Sequence, residues 1–219
     1  MKDSRSLGVI DVHSHIIPDQ FPDGAGRDAR WPSVVHGQDG SAQVVIEGKL
    51  FREIDHRSWN AEARIADMEA RGIGHQILSP MPELLSYWFD GNSAAAICES
   101  VNSFLAGLVS AYPARFSAFG MVPLQTPERA ARDLTRLRDM GLAGIEIGTH
   151  IQGTPLGDPS LVPFFAEAER LSMTIMVHAL HPVGGERIGS IPTMDPTAVF
   201  PLETALAAVS LMTGGVLEK

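Results

Sequence analysis

An α/β fold, and within that class the first part of a TIM-type (β/α)8 barrel, is predicted by three features of this 219-residue sequence. Five short apolar runs recur along the chain, each followed by a segment with helical spacing, which is the pattern of βα units and a parallel sheet. The first run ends in His-Ser-His, where an open nucleotide-binding sheet would carry a Gly-rich turn, and neither G-x-G-x-x-G nor a P-loop occurs in the chain. The stretch 18–60 after that run is too long for an ordinary βα loop. On a barrel it would lie at the carboxyl ends of the strands, where active sites are built.

The runs are LGVIDV (Leu7 to Val12), GHQILSP (Gly74 to Pro80), FSAFGMVPL (Phe116 to Leu124), AGIEIGTH (Ala143 to His150) and MTIMVHAL (Met173 to Leu180). They are β-branched in part and bounded by Gly or Pro, as strands buried on both faces are. Between them, Ala61 to Arg71 reads as a helix stopped by Gly72. Ile97, Val101, Phe104, Leu105, Leu108 and Tyr112 form one stripe of a longer helix. Thr126-Pro127 offers an N-cap and a first-turn proline ahead of Ala130, Leu134 and Leu137, and Gly141 ends that run. Asp158-Pro159 repeats the arrangement ahead of Leu161, Phe164, Phe165, Ala168 and Leu171. Inside 18–60, SAQVVIEGKLFREI alternates as a small hairpin, expected to cover the substrate. The reading is one barrel domain over 1–219, with five of eight βα units present.

Hydrophobic residues make up 44% and charged residues 20% of the chain, an ordinary globular balance. With 17 basic against 26 acidic residues the formal charge is -9, and no basic run stands out. Nucleic-acid and anionic-membrane partners are therefore not expected, because both need a basic footprint. A small anionic substrate needs only two or three local cations. The single cysteine, Cys98, sits in a helical segment and reads as a buried, inert thiol, so neither a disulfide framework nor a Cys-based zinc site is expected. No signal-peptide pattern and no apolar run of membrane-spanning length stands out, and a cytoplasmic setting is the expectation.

His13 and His15 are two residues apart, and positions i and i+2 of a strand face the same side. Both imidazoles can then meet one ion, although the same pair occurs in ordinary loops. His178 ends the fifth apolar run and so occupies the equivalent end of a later strand. Nitrogen ligands suit a divalent, zinc-like ion. His150 ends the fourth run and faces the same mouth, as a substrate contact or as a structural hydrogen bond. Arg52 and Arg187 are candidate anion clamps, with Lys49 a weaker one. Asp11 would point away from the histidine pair and reads as structural, and His36, His56 and His75 read as surface or structural residues; His181 stays unassigned. Residues Met81 to Trp88 and the insertion near Trp31 are expected to wall the pocket.

DVHSHIIP, GKLFRE, MVPLQTP, GIEIGTH, MVHALHPVGGER and LMTGGVLEK together resemble the amidohydrolase-related family, and most of all its 2-amino-3-carboxymuconate-6-semialdehyde decarboxylase branch. The resemblance runs from about Gly8 to the last residue. It implies a metal-dependent barrel enzyme, usually with zinc, that removes carbon dioxide non-oxidatively from an unsaturated or aromatic carboxylic acid. It matches His13, His15 and His178 to the family's metal ligands and Arg52 to the arginine that binds the substrate carboxylate. Related members hydrolyse lactones, esters or amides instead. The family's usual arrangement implies a homodimer. The resemblance also implies a catalytic acid/base histidine and an aspartate ligand on strands beyond Lys219. The expectation is therefore an N-terminal piece of a longer enzyme, with a non-catalytic subunit as the reading from another class.

Overall fold

Five parallel strands frame the computed structural model, which describes residues 8–24, 28–182 and 194–218. In chain order the elements are β1 (Val9–Ile16), β2 (Ser33–His36), β3 (Ser41–Ile46), β4 (Lys49–Asp55), α1 (Ala61–Ala70), β5 (Ile73–Pro80), α2 (Gly91–Ala111), β6 (Phe116–Gly120), α3 (Pro127–Asp139) and β7 (Gly144–Gly148). The short β8 (His150–Ile151) and β9 (Thr154–Pro155) follow, then α4 (Val162–Arg170), β10 (Thr174–His178) and α5 (Phe200–Thr213).

The main sheet runs β1-β5-β6-β7-β10, with every neighbouring pair parallel. Spatial order equals chain order, so each βα unit advances one strand in the same direction. A doubly wound sheet reverses at a switch point; a barrel wall does not. This is a curled half-barrel. Its centre is the driest part: all five residues of β7 are buried. β1 and β10 each pair on one side only among the described residues, and Val9, Ile10 and Val12 of β1 are exposed. Leu202, Leu206, Val209 and Met212 are also exposed, on α5 at helical spacing.

Five predicted strands are present, with shifted ends. The first runs on through Ile16, so the histidine pair lies within the strand itself. The third stops at Gly120, because the Asn102 side chain on α2 takes over the backbone of Met121, donating to its carbonyl at 2.8 Å and accepting its N–H at 2.8 Å. The fourth leaves the ladder at Gly148, and His150 belongs to the small β8–β9 hairpin.

Helix ends follow the sequence in part. Gly72 and Gly141 take positive φ and end α1 and α3. Thr126 does not cap α3, since its hydroxyl donates to the Pro123 carbonyl instead. Asp158 does cap, but it opens a one-turn 3-10 helix, Pro159–Leu161, before α4 begins. Asn60 caps α1, its Oδ1 accepting the Ala63 N–H at 2.9 Å. Asn60→Ala is expected to cost about 1 kcal/mol, read as a lower urea midpoint with unchanged slope.

The reading that no segment reaches membrane-spanning length is corrected by two helical stretches, Gly91–Ala111 and Asp195–Thr213, which are long and apolar enough to do so. Scattered small and polar residues hide them from a search for unbroken apolar runs. On α2 the apolar stripe of Ile97, Val101 and Leu105 is fully buried in the core.

The insertion forms its own antiparallel sheet, β2-β3-β4. Glu47 and Gly48 both have positive φ between β3 and β4, as a tight two-residue hairpin requires. Val44 and Ala42 anchor this sheet with fully buried side chains, while Phe51 and Leu50 stay exposed on β4.

Candidate active site

The β1 ladder with β5 breaks register between Asp11 and Ser14, so Val12 and His13 bulge from the regular pairing. Asp11 staples this bulge, one oxygen accepting the His13 backbone N–H at 3.1 Å and the other accepting from Gln76 Nε2 at 2.9 Å. Arg64 of α1 donates to the His15 carbonyl at 2.7 Å and fixes the strand end from outside.

On this frame the Nε2 atoms of His13 and His15 stand 3.2 Å apart. His178, at the end of β10, closes the triangle: ring centroids are 5.0 to 5.2 Å apart in all three pairs. One ligand atom from each ring lies within 4.8 Å of the other two. His15 Nδ1 sits 2.9 Å from the Pro80 carbonyl, and His178 Nδ1 sits 2.8 Å from the Ala179 carbonyl. A carbonyl only accepts, so each Nδ1 carries the proton and each Nε2 lone pair is left for an ion. Bonds of about 2.0–2.1 Å at a tetrahedral ion would set imidazole nitrogens about 3.4 Å apart, close to the spacing of the His13–His15 pair. The three histidines fit a divalent metal.

Burial lowers the pKa of His15 to about 4 and also lowers that of His178, which keeps both in the neutral, ligating form. Behind His15 lies Glu146, fully buried in the middle of β7, with one carboxylate oxygen 3.8 Å from His15 Nδ1. Burial raises its pKa to about 8, against a smaller opposing pull from the Ser79 hydroxyl.

A cavity of about 680 Å³ opens over the three histidines, walled also by Phe51, Arg52, Glu83, His181 and Asp195. A second cavity, about 480 Å³, adjoins it through Phe51, Glu83, Leu180 and His181 and extends to Tyr87, Trp88 and His150. The insertion supplies Phe51 and Arg52 from β4, so it covers the site. Arg52 Nη2 donates to Glu83 Oε1 at 3.1 Å. Tyr87 is held rigid, its hydroxyl accepting the Gly148 N–H at 3.0 Å.

The other candidates separate clearly. His150 is on the wall of the second cavity, but both its nitrogens serve the backbone: Nε2 donates to the His181 carbonyl at 3.0 Å and Nδ1 accepts the Gly153 N–H at 2.9 Å. Its place is that of a brace for the loop after β10. Arg187 lies outside the described residues. Lys49 is largely exposed on the hairpin, 4.0 Å from Glu47. Trp31 walls a different cavity, with its indole N–H donated to the Pro22 carbonyl. His75 bonds Ser117, and His36 bonds the Asp19 carbonyl and packs on Trp59. Burial pushes the Cys98 thiol up, as an inert core residue requires. Glu83 and Trp88 fall in the stretch expected to wall the pocket, whereas the wall positions of His181 and Asp195 carried no sequence signal.

A histidine pair on the first strand of the half-barrel is thus joined by a histidine ending its fifth strand. The amidohydrolase family model aligns with residues 10–219. The chain belongs to the amidohydrolase family. Among curated relatives of this amidohydrolase, 2-amino-3-carboxymuconate-6-semialdehyde decarboxylase from Dictyostelium discoideum is 35% identical over 98% of this chain and 60% of its own length. A crystal structure of 2,6-dihydroxybenzoate decarboxylase complexed with 2,6-dihydroxybenzoate superposes with a TM-score of 0.68 at 31% identity, over 74% of this chain and 54% of that one. A dihydroxybenzoic acid decarboxylase from Polaromonas, solved with bound manganese and 2-nitroresorcinol, superposes with a TM-score of 0.73 at 25% identity, over 96% and 62%. The amidohydrolase described here therefore spans about 54 to 62% of the length of these relatives.

Proposed function

We propose that this amidohydrolase serves the metal-dependent, non-oxidative decarboxylation of an aromatic or unsaturated carboxylic acid. The observation that carries the reading is the placement of Arg52 on the wall of the same cavity as His13, His15 and His178. A cation that can hold a carboxylate and a ligand set that can hold an ion thus meet in one space. The three relatives described above are decarboxylases, which supports the reaction type.

The residues divide the task. His13, His15 and His178 would hold the ion, for which we propose Zn2+ on the strength of three imidazole donors; the manganese of the Polaromonas relative makes Mn2+ the ion to compare. Bound there, a divalent ion supplies Lewis-acid stabilisation of negative charge on the substrate. Arg52 orients the carboxylate with charge-assisted hydrogen bonds. Phe51, Leu180, Tyr87 and Trp88 exclude water from the body of the acid. As the carboxylate leaves as carbon dioxide, the electron pair of the broken carbon–carbon bond stays on the carbon skeleton, which takes up one proton in its place, and a dry wall favours the loss of localised charge.

The test is carbon dioxide release from a panel of hydroxybenzoates and unsaturated acids by the zinc-loaded and the manganese-loaded protein. The expected result is stoichiometric carbon dioxide with loss of the acid, and a KM raised about 10- to 100-fold in Arg52→Ala. Cleavage of lactones or esters without release of carbon dioxide would overturn the reading.

A further inference from the structure

Glu146 is the one charged residue of β7, and no part of its side chain reaches solvent. Both of its carboxyl oxygens lack a hydrogen-bond partner among the described residues. Two unpaired oxygens in the middle of a dry strand are costly, so their retention needs a gain elsewhere. In front of them is the back of a ligand ring: Glu146 Oε2 lies 3.8 Å from His15 Nδ1. Ser79, buried near the end of β5, stands with this pair. Its Oγ is 3.1 Å from His15 Nδ1, and its hydroxyl acts on the Glu146 carboxyl as the opposing pull noted above. That hydroxyl otherwise donates to the Ser14 carbonyl at 3.3 Å, a long bond for an O–H donor.

We propose that Glu146 is a positioning residue for the metal ligand His15 and acts through the Ser79 hydroxyl. The inference rests on the reading of His13, His15 and His178 as metal ligands. Donors and acceptors match along the series. His15 Nδ1 carries one proton, held by the Pro80 carbonyl at 2.9 Å and within reach of Ser79 Oγ at 3.1 Å. A hydroxyl that accepts there keeps its own hydrogen to donate, and Glu146 offers acceptor oxygens for it. Each such donation polarises the next group, so the hydroxyl becomes a better acceptor for Nδ1–H. Ligation through Nε2 makes Nδ1–H a stronger donor, which tightens the same series when the ring is in use. A carboxyl group has an oxygen that accepts in either protonation state, so the role does not depend on its charge. Ser79 and Glu146 are buried behind the ring and form no part of the cavity wall. Their effect therefore falls on the ligand and not on a bound acid.

Zinc affinity decides the matter, measured by competition with a chromophoric chelator in the wild type, Ser79→Ala, Glu146→Met, the double variant of these two, and Glu146→Gln. Removing a partner behind a ligating histidine costs about 10- to 100-fold in affinity, and Ser79→Ala and Glu146→Met are each expected to show a loss of that order. The double variant is expected to bind no more weakly than the weaker single variant, because the two residues act in one series. Glu146→Gln keeps an acceptor oxygen at nearly the same volume and is expected to bind zinc several-fold more tightly than Glu146→Met. A carboxyl with a merely structural role would move the urea midpoint and leave zinc affinity where it was. Unchanged affinity in the single variants, losses that multiply in the double variant, or a Glu146→Gln as weak as Glu146→Met each overturn the assignment while leaving the three histidines as the metal site. A wild type that binds no zinc overturns the metal reading and this inference with it. Should Glu146→Met fail to fold, Ser79→Ala decides: without the hydroxyl the carboxyl has no route to His15, and wild-type affinity there overturns the assignment.

Discussion

His15→Ala is expected to abolish stoichiometric zinc binding, with affinity falling about 1000-fold. Losing a hydrogen-bond partner behind a ligand costs about 10- to 100-fold. Losing one of three imidazoles removes a bond to the ion itself, and here it removes a ring already held in place by the Pro80 carbonyl. The Pro80 carbonyl fixes the tautomer of His15, and burial keeps it neutral with a pKa of about 4. The wild-type site therefore spends nothing on deprotonating or turning that ring. His178→Ala should behave similarly, since its Nδ1 is tied to the Ala179 carbonyl in the same way. His36→Ala and His75→Ala should keep the ion, because their rings serve the Asp19 carbonyl and Ser117. Competition against a chromophoric chelator measures each affinity. One tightly held zinc per chain in His15→Ala would show that the three rings do not form the site.

Much of this centre was legible in sequence because it depends on strand geometry. His13 and His15 need only a period of two, and His178 needs only to end an apolar run. The five runs stand out because β5, β6 and β7 are largely buried and leave few positions for polar residues. What sequence did not give depends on contacts between distant segments. The bulge at Val12–His13 rests on Asp11 meeting Gln76 across the ladder. The insertion near Trp31 walls the second cavity through Arg30, Ile46, Glu47 and Phe51, whereas Trp31 itself turns its indole N–H to Pro22 and packs on Phe89. His181 reaches both cavities only because a loop residue takes the left-handed conformation, at φ 44°, rare outside glycine. Glu146 stands inside the apolar run AGIEIGTH, where a carboxylate is the least expected member. Val9, Ile10 and Val12 have the composition of core, yet they lie on the open flank of the sheet. Periodicity reports that a face is apolar and is silent about what covers it.

Glu146 gives the second large effect, a stability that falls as pH rises through neutrality. In the folded, metal-free protein, burial holds its pKa at about 8, whereas in the unfolded chain it returns to the ordinary carboxylate value of 4.5. Between those values the folded state keeps a proton that the unfolded state has lost, so each pH unit costs about 1.4 kcal/mol. His15 works in the opposite sense. Its folded pKa of about 4 lies below the ordinary 6.5, so the unfolded state binds the extra proton and stability rises with pH from about 4 to 6.5. The two slopes oppose one another below pH 6.5, and above it that of Glu146 remains. Urea unfolding of the metal-free protein should thus show a loss of about 2 kcal/mol from pH 6.5 to pH 8. Glu146→Gln, which fixes the neutral form at nearly the same volume, should remove that loss. A wild type with no slope in this window, or a slope that persists in Glu146→Gln, would place the titrating group elsewhere. Zinc sharpens the test further. A cation held by His15 would favour the ionised carboxylate 3.8 Å behind that ring and bring its folded pKa down. The zinc-loaded wild type should therefore lose less stability over the same window, which links the buried acid of β7 to the occupancy of the site in front of it.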